Sequence, residues 1–104
     1  MTILRSELAT MDFSDVATGE RLAPVTPGDV LLRDFMEPLG LSARALAREI
    51  EVPPNRITEI INGDRNVTAD TALRLARRFG TSARMWMGLQ AAHDLEMAER
   101  MVLA

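Results

Sequence analysis

The stretch SARALAREIEVPPNRITEIIN, residues 42–62, decides the fold. Ser42 is an N-cap, and Leu46, Ala47 and Ile50 fall on one face of the helix that follows, Ala43 to about Ile50. Glu51-Val52-Pro53-Pro54 breaks the chain. A second short helix then runs from Pro54 to Ile61, with Ile57, Ile60 and Ile61 apolar, and Asn62-Gly63 ends it. Two short helices separated by a turn of about four residues make a helix-turn-helix when three conditions hold. A small residue must sit midway along the first helix so that the second can cross close to it, and Ala47 supplies it. Apolar residues must lock the angle, and Leu46, Ile50, Val52, Ile57 and Ile60 fit. The outer face of the second helix must be polar at its N-terminal end, which enters the major groove. Here that end offers Pro54, Asn55, Arg56, Thr58 and Glu59.

These side chains have base-reading chemistry. Arg56 can fork onto guanine, Asn55 can pair with adenine, and Glu59 can accept from a cytosine amino group. Ser42, Arg44 and Arg65 stand where a helix N-terminus and neighbouring loops meet phosphates. The plain alternative is that all of them form the solvated face of an ordinary helical bundle.

Outward from this unit the punctuation stays dense. Thr26-Pro27-Gly28-Asp29 reads as a helix start, with Thr as cap, Pro at the first position and an acid three residues after the cap. That helix carries Leu31, Leu32 and Phe35 and stops near Pro38-Leu39-Gly40. Thr68 caps a helix whose inward positions are Ala69, Ala72, Leu73, Ala76 and Phe79, closed by Gly80. Ser82 caps the last, from Ala83 to about Arg100. The expectation is an all-α domain of five helices over residues 26–104, preceded by an N-terminal arm over 1–25. The arm shows little periodicity beyond a short amphipathic stretch from Ile3 to Met11.

Composition narrows the function. The chain has 104 residues, which is one domain with one core. It has no Cys and a single His, so disulfides, thiolate metal sites and nucleophilic cysteine chemistry are excluded, and neither a metal nor another cofactor is expected. There is no Gly-rich phosphate loop, and Glu49 with Glu51 reads as surface charge, so an enzyme is not expected. No apolar run approaches the roughly 18 residues that span a bilayer, and the N-terminus lacks a signal-peptide pattern. A cytoplasmic protein with no membrane partner is expected. The net charge of −3 argues against indiscriminate electrostatic binding to nucleic acid. Residues 28–80 hold eight Arg and eight acids, and every basic residue is Arg, which suits phosphate and guanine edges and is also what a GC-rich genome produces. Arg74, Arg77 and Arg78 read as solvated charge more readily than as phosphate contacts.

On the last helix Met85, Trp86, Leu89 and Ala92 recur at helical spacing and are most simply core, with His93 packing beside them. Met97, Met101 and Val102 continue an apolar face beyond what a monomer of this size covers. A homodimer seam is therefore expected on this helix, drawing on Trp86, Leu89, His93, Met97 and Met101. A twofold dimer reads two half-sites about 34 Å apart.

The segment from Thr26 to Leu95 closely resembles the HigA-type antitoxins, within the lambda-repressor-like, XRE-type group. The resemblance rests on PGDVL (27–31), EPLGLS (37–42), VPPNRITEIING (52–63), TADTALRLA (68–76) and WMGLQAAHDL (86–95). It implies a five-helix DNA-binding domain, homodimerisation largely through the last helix, binding to a palindromic operator in its own promoter, and neutralisation of a small mRNA-cleaving toxin, HigB. The acidic arm suits a basic toxin, and Ile3, Leu4, Leu8 and Met11 are the apolar positions it would bury there. Three features depart from the family: Glu51 stands where the wider group has Gly at the turn, Ala83-Arg84 replaces Pro-Glu after the Ser82 cap, and the arm is untypical. The other reading is a stand-alone XRE-type repressor with the same helix-turn-helix and no toxin.

Overall fold

The structure is a computed structural model that describes residues 25–103. Over these residues the chain is all-α: five helices and no strand, as the sequence reading expects. The first helix, α1, runs unbroken through Pro27–Val30, a π-helical stretch Leu31–Met36, and Glu37–Leu39. Then follow α2 (Ala43–Ile50), α3 (Pro54–Ile61), α4 (Ala69–Phe79) and α5 (Ala83–Leu103).

The caps form where the sequence places them. The Thr26 hydroxyl accepts from the Asp29 amide at 3.0 Å, and the Asp29 carboxylate accepts from the Thr26 amide at 3.3 Å, closing a capping box. Ser42, Thr68 and Ser82 accept from the amides of Ala45, Thr71 and Met85 at 3.1, 3.4 and 3.0 Å. Gly40 and Gly80, at φ 62° and 73°, end α1 and α4 in the left-handed region. The π-helical stretch was not anticipated. Pro38 has no amide hydrogen, and its ring would strike the carbonyl four residues back in an α register. In the wider register the Glu37 amide bonds to the Leu32 carbonyl, five residues back, so the helix passes through Pro38 without breaking.

Leu31, Met36, Leu46, Ala47, Ile57, Ile60, Ala72, Leu75 and Trp86 form the buried core. Trp86 is fully buried; its indole donates to the Thr81 hydroxyl at 2.8 Å, and Phe35 packs on it with ring centroids 5.2 Å apart. Phe35 also meets Phe79 at 5.1 Å, so one aromatic cluster joins α1, α4 and α5. Several expectations need correcting here. Trp86 belongs to the monomer core and has no surface to give a dimer seam. Leu89 packs against the same core. Leu73, expected inward, is 62% exposed, and Ala92 is exposed as well, because α4 and α5 meet along a narrower stripe than the periodicity suggested.

Among the described glycines, only Gly28 is closely packed, where α1 meets the end of α3. A Cβ built on Gly28 would lie 2.0 Å from the Ile60 carbonyl oxygen and 2.9 Å from the Ile61 Cα, so the two backbones touch with no room for a side chain. Gly28→Ala must push α3 away from α1. The expected cost is about 1–3 kcal/mol, in the range of overpacked cores, read as a lower urea midpoint with unchanged m-value.

Candidate nucleic-acid interface

The helix-turn-helix forms as read from the sequence. Ala47 is fully buried, Val52 and Ile50 are nearly so, and α2 and α3 pack directly on each other. At the turn Glu51 adopts φ 61°, ψ 49°, the only non-glycine with positive φ among the described residues. A left-handed non-glycine costs about 1–2 kcal/mol. The turn holds because the Val52 amide bonds to the Ala47 carbonyl at 3.0 Å, which closes the end of α2.

The outer surface of α3 carries Asn55 and Thr58 exposed at its N-terminal half, with Arg56 and Glu59 half-buried on its flanks. Pro54 opens the helix, exposed, and Pro53 caps it without a side-chain hydrogen bond. Ser42 and Arg44 are exposed at the N-terminus of α2. Arg65 projects from the loop after α3 and donates to Glu59 at 2.7 Å, while Asn55 donates to the other Glu59 oxygen at 3.5 Å. Thr58 turns its hydroxyl back to the Pro54 carbonyl at 3.4 Å. Asn55, Glu59 and Arg65 are thus joined by hydrogen bonds on the surface that Thr58 shares, and Arg56 lies on its flank beside Asp70.

Of four residues that hold this surface, sequence reasoning did not give a role to Gly28, Gln90 or Asp70, and it read Arg74 as solvated charge. Gly28 seats the end of α3. Gln90 is buried and clamps the loop: its side-chain oxygen accepts from the Val67 amide at 2.7 Å, and its amide nitrogen donates to Asn66 at 3.2 Å and Asp94 at 2.9 Å. Asp70 lies 3.6 Å from Arg56, and Arg74 donates to Asp70 at 3.0 Å and to the Ile50 carbonyl at 2.8 Å. Arg74 is therefore more than solvated charge. Arg78 is likewise engaged, paired with Glu49, while Arg77 is exposed.

The expected dimer residues diverge. Met97 and Met101 are 42% and 82% exposed, along with Leu95, Val102 and Leu103 at the end of α5. His93 is half-buried, its Nδ1 out of contact with solvent and without a hydrogen-bond partner. Ile3, Leu4, Leu8 and Met11 lie outside the described residues. Among the described residues no cluster of side chains is arranged to hold a metal ion, and no helix is long and apolar enough to cross a membrane.

Comparison with known proteins agrees with this geometry. The helix-turn-helix family matches residues 32–86. Virulence-associated protein I of Dichelobacter nodosus is 50% identical over 76 residues, covering 73% of this chain and 70% of the relative. Antitoxin HigA-1 of Vibrio cholerae is 38% identical over 72 residues, covering 69% of this chain and 68% of the relative. The Pseudomonas aeruginosa antitoxin HigA, solved with the higBA promoter, superposes with a TM-score of 0.73 at 37% identity, covering 75% of this chain and 85% of that one. The chain belongs to the HigA-type antitoxins of the XRE-type helix-turn-helix family, a family of DNA-binding proteins.

The Gln90 clamp is open to a direct check. Gln90→Met keeps the volume but strands the buried Val67 amide. It is expected to lose about 1–3 kcal/mol, with hydrogen exchange at Val67 rising before that of the α2 and α3 amides.

Proposed function

We propose that this protein is an antitoxin that represses its own toxin–antitoxin operon and neutralises a HigB-type mRNA-cleaving toxin by binding it. The observation that carries the reading is the surface on α3. Its polar residues, Asn55, Arg56, Thr58 and Glu59, face outward at the end of the helix that a helix-turn-helix inserts in the major groove. The Pseudomonas aeruginosa antitoxin HigA, of the same fold, is solved with the higBA promoter. Ser42, Arg44 and Arg65 fix the register on phosphates, while Asn55, Arg56 and Glu59 read base edges with Thr58 and Pro54 beside them. The net charge of −3 leaves little non-specific attraction. Affinity for the operator then depends on two half-sites read at once.

The pairing that supplies the second half-site is assigned to the end of α5. Met97 and Met101 are exposed one turn apart on the face of α5 that continues from Trp86, and a second copy would cover them. His93 and Leu89 border this face. Toxin binding is assigned to the arm, residues 1–25, with Ile3, Leu4, Leu8 and Met11 as its apolar contacts; residues 26–104 carry DNA binding and dimerisation.

Two measurements test the reading. The first is purification of the C-terminally tagged chain from its source cells, with mass spectrometry of what co-elutes. A small basic protein in stoichiometric amount, toxic alone and harmless when co-expressed, is expected. Recovery of the chain with promoter DNA and no such protein would mean a solitary repressor. The second is binding to the duplex upstream of the chain's own gene. Arg56→Ala should weaken specific binding by about 1–3 kcal/mol, mainly at one base position. Arg65→Ala should weaken all sequences alike and lower the salt slope by about one.

A further inference from the structure

The carboxylate of Asp70 sits at the centre of a chain of contacts that joins three helices. One of its oxygens, Oδ2, takes the Arg74 Nε at 3.0 Å and faces the Arg56 Nη1 at 3.6 Å. Arg74 also donates through Nη1 to the Ile50 carbonyl at 2.8 Å. Ile50 is the last residue of α2, and its carbonyl is one of those that a helix leaves without an internal partner. A guanidinium there is favoured by the helix dipole and by a donor geometry that can serve two acceptors at once. Arg74 is thereby fixed at both ends, and Asp70 is held in place from behind.

Arg56 therefore faces a carboxylate that Arg74 braces from the other side. The two side chains differ in exposure, 29% for Arg56 and 59% for Asp70, so the pair lies at the edge of the α3 surface with the carboxylate open to solvent. An exposed pair of this kind adds little to stability. Its consequence is for recognition. Asp70 attracts this guanidinium as an ion pair at 3.6 Å without a hydrogen bond, and the whole fork remains available to a base edge or a phosphate. A side chain already oriented has less rotamer freedom to lose on binding. The same carboxylate is a fixed negative charge beside the surface, and it opposes any duplex on which Arg56 finds no partner.

We propose that Asp70 is a positioning and specificity-determining residue for operator reading: anchored by Arg74 to the end of α2, it orients Arg56 and disfavours non-cognate DNA. The proposal rests on the reading of α3 as the base-contacting helix. It explains why an acid stands in the first turn of α4, next to the surface meant to meet a polyanion.

The test uses the full chain, with two duplexes: the sequence upstream of its own gene, and the same bases scrambled. Affinities for both are measured at two salt concentrations for the wild type, Asp70→Ala, Asp70→Glu, Arg56→Ala and the double variant. Asp70→Ala is expected to lower the ratio of operator to scrambled affinity by about tenfold, a size typical of one base contact. Scrambled binding should itself strengthen, since a repelling charge is gone. Asp70→Glu should restore most of the ratio, and adding Asp70→Ala to Arg56→Ala should leave the ratio where Arg56→Ala alone puts it. A thermal melt near the wild-type value keeps a folding defect out of the comparison.

Equal strengthening on both duplexes, with the ratio unchanged, would show a simple charge effect and overturn the proposal. So would a fall in the ratio that persists in the Arg56→Ala background. If Arg56→Ala lowers the ratio and Asp70→Ala does not, the positioning role fails and the reading of α3 stands. If Arg56→Ala leaves the ratio unchanged, the reading face and the proposal fall together.

Discussion

The contact between Gly28 and the carbonyl of Ile60 sets the position of the reading helix. Two backbones approach so closely that a Cβ would lie 2.0 Å from an oxygen, and no side chain mediates the meeting. The start of α1 is held in turn by the Thr26–Asp29 capping box, and its middle by Leu31 and Phe35 in the core. The C-terminal end of α3 is thus fixed against the body of the domain. Its N-terminal end, where the polar residues are, is held by Ile57, buried in the core that α2 shares through Ala47 and Ile50. A helix fixed at one end by backbone contact and along its length by core packing presents Asn55, Thr58 and Glu59 in a single geometry.

The electrostatics of that surface are local. With eight Arg and eight acids over residues 28–80, no broad positive field forms. Charges are instead matched pairwise: Arg65 with Glu59, Arg56 and Arg74 with Asp70, Arg78 with Glu49. Such exposed pairs contribute little to stability. Their effect is that charged groups around α3 are held in place before DNA arrives.

Much of this was legible in the sequence because the signals are local. Four of the five helix starts have a hydroxyl cap, α3 opens on prolines instead, and two of the helices stop at a glycine of positive φ, so the order and bounds of the helices follow from residues a few positions apart. Ala47 and the isoleucines of α3 announce the helix-turn-helix in the same way. The misreadings are of a different kind. Leu73 fits the inward periodicity of α4, yet that side of the helix has no neighbour. Trp86 lies on the apolar stripe that reaches Met97 and Met101, but Phe35 packs on it, backed by Phe79, and it is fully buried while Met97 and Met101 stay exposed. The π-helical stretch arises from Pro38 inside a helix that packing keeps intact, where a local rule expects an end.

The sequence by itself determined the helical elements, the helix-turn-helix and the chemistry of its outer face, because caps, breakers and 3.6-residue periodicity act within a few residues of one another. Only the tertiary structure decided which glycine must remain a glycine, which glutamine is buried, and which arginine is braced. Gly28 meets residue 60, Gln90 meets residues 66 and 67, and Arg74 meets residue 50. Such contacts join residues more than 20 positions apart, where no periodicity links them; they arise from the way the helices pack, and the same packing decides which part of α5 is left exposed.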